Sequence, residues 1–61
     1  MNFKNFMDLY DNWNGITRVN DDNLHTIIKG KTLDIMECSE LFGMEVVAFG
    51  FYDNELCVRV K

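Results

Sequence analysis

A chain of 61 residues with 48% hydrophobic content makes one domain, residues 1–61, and buries only about 60% of its unfolded surface, so its stability margin is thin. Its net charge of −4 at pH 7 excludes a molecule whose whole surface clings to nucleic acid. Two cysteines cannot build the disulfide framework of a secreted mini-protein, and no apolar run approaches the roughly 20 residues of a membrane span.

The first residues, Met1-Asn2-Phe3-Lys4-Asn5-Phe6, have no apolar core of the kind a secretory signal needs, which sets the expectation of a cytoplasmic protein with Cys38 and Cys57 reduced. Phe3, Phe6, Met7, Tyr10 and Trp13 recur at helical spacing, with Lys4, Asn5, Asp8 and Asp11 opposite them. Asn2 is placed to cap this helix, and Asn12-Trp13-Asn14-Gly15 to stop it. Such a stripe packs on a sheet, and Trp13, near the helix end, is the member that reaches the surface.

Ile16–Val19 and Leu24–Lys29 bracket Asn20-Asp21-Asp22-Asn23 and read as a β-hairpin. A turn centred on Asp21-Asp22 pairs Val19 with Leu24 and Thr17 with Thr26 on one face, leaving Arg18/His25 and Ile16/Ile27 on the other. Asp34 and Glu37 have capping-box spacing, predicting a helix over 35–42 that ends with Gly43 as a left-handed cap.

The last stretch alternates most regularly. Around a turn at Asp53-Asn54, Phe51 faces Leu56, Phe49 faces Val58 and Val47 faces Val60, three apolar pairs on one face. The other face takes Tyr52/Glu55, Gly50/Cys57, Ala48/Arg59 and Val46/Lys61. A one-residue slip would mix the two sets. Phe49, Phe51, Leu56 and Val58 are thus expected to be buried together, with Arg59 and Lys61 exposed, and Phe51→Ala to cost on the order of 3 kcal/mol. The sum is an α+β domain: a four-stranded antiparallel sheet from two β-hairpins, with two short helices on one face.

Asn23-Leu24 after an acidic turn, Gly30-Lys31, Ser39 to Val47 and Asp53 to Val60 form a pattern that resembles small accessory proteins of phages and mobile elements in low-GC Gram-positive bacteria. Those proteins begin with a short helix and end on a strand–turn–strand of this kind. The aromatic first helix here departs from their usual aliphatic one. The resemblance implies an accessory-gene context, in which small acidic proteins bind and block a host factor.

Catalytic and metal chemistry find little purchase. His25 is the sole histidine and has no nucleophile placed beside it in sequence. His25, Cys38 and Cys57 are scattered singly rather than at zinc spacing. The stretch from Tyr10 to Asp21 imitates a calcium loop but has Tyr10 where the first acid belongs and a strand where a helix should follow. Gly30-Lys31-Thr32 has the tail of a phosphate loop without its upstream glycine. No cofactor, metal or catalytic residue is therefore assigned.

One constellation remains. Arg18, His25, Lys29, Lys31, Arg59 and Lys61 all come from strands or their ends, and with both helices on the apolar face they share an open sheet face with Tyr52, Ile16 and Ile27. The plainest account is solvated charge at exposed strand positions. The functional account is a partner surface anchored by residue types that dominate interfaces, namely Trp13, Arg18, Tyr52 and Arg59. The leading expectation is a non-enzymatic protein that occupies a protein partner. Nucleic-acid contact through the basic face, or a self-assembling structural module, is the alternative. Ile16, Ile27, Tyr52 and Trp13 are more apolar surface than a two-layer domain this small readily hides, which predicts a homodimer.

Overall fold

The computed structural model describes all 61 residues. Helix α1 (Phe3–Asp8) is followed by strands β1 (Ile16–Asn20) and β2 (Thr26–Lys31), helix α2 (Thr32–Met36), a 3-10 turn (Ser39–Leu41), and strands β3 (Val46–Tyr52) and β4 (Glu55–Val60). The four strands form one sheet in the order β2-β1-β4-β3, with both helices against one face. No helix is long and apolar enough to cross a membrane.

The α+β class and its four-stranded sheet are as expected, but the pairing is mixed. The β1–β2 and β3–β4 pairs are antiparallel, while β1 and β4 run parallel at the centre. Burial explains the arrangement. Leu56, Val58 and Val60 of β4 and Thr17 and Val19 of β1 are all fully enclosed. Placing these two strands in the middle gives each a neighbour on both sides. The chain leaves β2 through α2, passes under the sheet to its far edge, and returns along β4 beside β1.

At the β3–β4 turn, Asp53 and Asn54 both take positive φ (54° and 65°), the pair of left-handed residues that suits a two-residue hairpin. Tyr52↔Glu55, Phe51↔Leu56, Gly50↔Cys57, Phe49↔Val58 and Ala48↔Arg59 follow in register, matching the sequence pattern. Beyond Ala48 a bulge intervenes and Val46, not Val47, faces Val60. The bulge lies where the N-terminus joins the strand: Val46 N–H donates to the Met1 carbonyl (2.9 Å), and Asn2 bridges to Glu45.

The first hairpin differs from expectation by four residues. Val19 faces Ile28, Thr17 faces Gly30, Arg18 faces Lys29 and Ile16 faces Lys31. The turn is a five-residue loop, Asp21 to His25, closed by the Asp21 carboxylate, which accepts from the backbone N–H of Asn23 and of His25 (both 2.9 Å). Side-chain bonding of this kind lets Asp organise a wider turn than two residues. Leu24 is then exposed at the loop tip with φ 67°, and Ile28 takes the inward place predicted for it.

Both helices are shorter than predicted. The side chain of Asn2 caps α1 by accepting from Asn5 N–H (2.8 Å). After Asp8 the chain leaves the helix, and the Trp13 indole N–H donates to the Tyr10 carbonyl (3.0 Å). Helix α2 begins three residues before Ile35 because Thr32 is fixed from within: its hydroxyl bonds the Thr17 hydroxyl at 2.7 Å, both residues fully buried. The segment after Met36 breaks into the 3-10 turn, and no glycine in the chain has positive φ, so Gly43 is not a left-handed cap.

The core is Phe3, Met7, Val19, Ile35, Leu41, Leu56, Val58 and Val60. Phe49 and Phe51, expected within it, are 63% and 59% exposed. Their rings do point to the helix side, where Phe6 lies 4.9 Å from Phe49 and Tyr10 lies 6.0 Å from Phe51, centroid to centroid. The cover is too small. A six-residue α1 is about 9 Å long, whereas four strands span about 14 Å, so the outer flank of edge strand β3 stays open. Arg59, expected at the surface, is half-buried.

Candidate functional site

No helix covers the second face of the sheet, and the register lays its side chains out in rows. Tyr52, Glu55, Ile16 and Lys31 form one row across the four strands. Gly50, Cys57, Arg18 and Lys29 form the next, and Ala48, Arg59, Asn20 and Thr26 the third. Lys61 follows Arg59 at the end of β4. An acidic protein therefore presents five basic side chains on one face, with its acids concentrated on helices and turns.

Glu55 sits among them. Its carboxylate forms an ion pair with Lys29 Nζ at 3.0 Å and accepts from Arg18 Nη2 at 3.5 Å. Lys31, Arg59 and Lys61 take part in no ion pair. The Nε atoms of Arg18 and Arg59 are buried without a hydrogen-bond acceptor. Arg18, Asn20, Tyr52, Asp53, Glu55 and Cys57 line a hollow of about 250 Å³. Tyr52 folds back over Gly50, where a Cβ would stand 3.2 Å from the ring. Glycine thus leaves room for the aromatic ring to lie along the sheet while remaining 67% exposed.

Three of the four predicted anchors, Arg18, Tyr52 and Arg59, are brought onto this face. Trp13 is not: it lies in the loop between α1 and β1, 52% exposed. His25 is also absent, carried into the hairpin loop, where its imidazole Nδ1 lies 3.8 Å from the Asp21 carboxylate. Ile27 is displaced to the β2 edge and lines a hollow with Ile28, Cys38, Leu41 and the carboxylates Glu37 and Glu40. No three His, Cys, Asp or Glu side chains are grouped as metal ligands are. Cys57 is on the open face, and Cys38 packs against the core from the other side, so the sheet separates the two thiols.

Sequence reasoning missed the role of Glu55 as the hub between Arg18 and Lys29, because β1 and β4 become neighbours only through the parallel pairing. It also missed a second surface. Phe6, Leu9, Tyr10, Phe49, Phe51 and Leu56 line an entirely apolar groove of about 260 Å³ along β3. The available signal was the absence of any charge in Val46–Tyr52, unusual for a strand that ends up at an edge.

Comparison with protein-family models, with curated proteins and with solved structures finds no match to this chain.

Proposed function

We propose that this protein acts without catalysis, in the cytoplasm, by docking the open face of its sheet onto an acidic surface of a protein partner, as an accessory or inhibitor protein of phage or mobile-element type. The observation that carries the reading is the gathering of Arg18, Tyr52 and Arg59 on one uncovered face of a molecule whose net charge is −4. Arginine and tyrosine are the residue types that concentrate binding energy, and their guanidinium forks suit carboxylates. Lys29, Lys31 and Lys61 form a charged rim that speeds encounter with an acidic patch, an effect that fades as salt rises.

The same basic face, with its exposed tyrosine, supports a second reading in which the partner is nucleic acid contacted through phosphates and a stacked base. The protein reading ranks first on electrostatic grounds. Glu55 already engages Arg18 and Lys29, and the overall negative charge opposes the approach of a polyanion.

The test is a pull-down from host lysate with the parent protein and with a Tyr52→Ala/Arg59→Ala variant whose circular dichroism matches the parent. Selective loss of one protein band with the variant supports the proposal. Identical bands from both refute it for this face, and bound material removed by nuclease transfers the assignment to nucleic acid.

A further inference from the structure

We propose that two copies of this chain pair through the outer edge of β3, antiparallel about a two-fold axis at Gly50, to form one eight-stranded sheet. This surface is separate from the open sheet face, so the inference stands or falls independently of the partner read there.

The two edges of the sheet are built differently. β2, at one edge, carries Lys29 and Lys31 and is interrupted by a bulge, the usual protections against edge-to-edge pairing. β3, at the other, is Val-Val-Ala-Phe-Gly-Phe-Tyr, with neither charge nor proline. Its bulge and the Met1–Asn2 segment cover only the start, at Glu45 and Val46. From Ala48 to Tyr52 the outer edge pairs with no other strand.

That free stretch is centred on Gly50, and an antiparallel two-fold through Gly50 sets Phe49 against the partner's Phe51 twice over. Cross-strand aromatic pairs of this kind are favourable. Ala48 falls opposite the partner's Tyr52, and the free stretch carries no charge that could be set against its like. The strand is thus complementary to itself, as a two-fold contact requires.

The area is sufficient. Phe49 is 63% exposed, Phe51 59%, Leu9 75% and Val47 38%. With a large aromatic side chain offering about 150–250 Å² in all, these four leave roughly 400 Å² of apolar side-chain surface open on each copy. Two copies and their strand edges then bury about 1,000 Å² or somewhat more, the lower end for a specific interface. Need matches opportunity, because only 10 of 61 residues are buried and small domains commonly complete their cores by association.

The experiment is light scattering or sedimentation across about 5 to 500 μM, the span over which an interface of this size dissociates. The parent mass is expected to rise from 7.2 kDa toward twice that value. Phe49→Lys, with unchanged circular dichroism, is expected to stay at the single-chain mass, while Ile27→Lys, on the opposite edge, dimerises like the parent. In the parent itself, amide exchange at Phe49 and Phe51 should slow as concentration rises, a readout that needs no variant to fold. A single-chain mass throughout would assign the edge to some other chain and overturn the proposal. So would a Phe49→Lys protein that dimerises like the parent, or exchange at Phe49 and Phe51 that ignores concentration.

Discussion

Phe51 and Leu56 face each other across the β3–β4 hairpin, yet truncating them should have unequal consequences. Leu56 is 1% exposed and Phe51 59%. Removing a fully buried leucine side chain costs about 2–5 kcal/mol, with the upper part of the range reached where the cavity cannot collapse. Leu56 is held between Thr17 of β1 and Phe51 of β3 and belongs to the buried core, so about 3 kcal/mol is expected. A fully buried Phe→Ala change costs about 3–5 kcal/mol, and scaling by the two-fifths of Phe51 that is covered leaves about 1.5 kcal/mol. This is half of what the alternating sequence pattern suggests for the same substitution. Urea denaturation of both variants, at a concentration where the parent is monomeric by light scattering, measures the difference. With a slope of about 1 kcal/mol per molar for so small a protein, the midpoint should fall by about 1.5 M for Phe51→Ala and about 3 M for Leu56→Ala. Equal losses from the two variants would refute the account of β3 as an edge strand with its outer flank open.

Thr17→Val should cost about 1–3 kcal/mol, because it strands the buried Thr32 hydroxyl. The Thr17→Val/Thr32→Val pair should cost less than the sum of the singles, as a double-mutant cycle in urea would show. Glu55→Gln should destabilise by no more than about 1 kcal/mol, since Arg18 and Lys29 are partly solvated, and the loss should shrink when denaturation is repeated at high salt. Both thiols should titrate in the denatured, unreduced protein, because the sheet lies between Cys38 and Cys57; a titre near zero would show that they are bridged.

The legible parts of this fold are those decided by neighbours in sequence. The β3–β4 turn announces itself because Asp53 and Asn54 tolerate positive φ and the apolar pairs on either side agree on one register. The first hairpin carries no such agreement: Val19 and Thr17 face inward whether the opposing residues are Leu24 and Thr26 or Ile28 and Gly30. Hydrogen bonds from Asn23 and His25 to Asp21 settle the choice. The start of α2 is set by a contact fifteen residues away, between Thr17 and Thr32, which no local capping signal reveals. Parallel pairing of β1 with β4 is likewise non-local, and it alone decides that β3 becomes an edge. Alternation correctly assigns Phe49 and Phe51 to the helix side. It is silent on how far α1 reaches. On the open face, the grouping of Arg18, Tyr52 and Arg59 follows from alternation, whereas the insertion of Glu55 beside Arg18 follows from strand order.

Strand order also ties the two exposed surfaces together. Because β3 lies at the edge, its inward residues Phe49 and Phe51 lack a full cover, while its outward residues Tyr52, Gly50 and Ala48 complete the uncovered basic face. In the proposed pair, a two-fold axis at Gly50 that continues the sheet runs perpendicular to it, so the helices of both copies fall on one side and both basic faces on the other. Each Ala48 then lies beside the partner's Tyr52, and the two Gly50 residues meet at the axis. The rows that hold Arg18 and Arg59 continue across the junction into the second copy. Pairing through the apolar flank therefore doubles the charged surface without adding a residue to it. A partner that engages both halves at once gains from the second contact through effective concentration rather than through new chemistry. For a chain of 61 residues with few side chains to spare for a site, the proposed pairing would let one strand both close the core of the pair and extend the face that the pair presents.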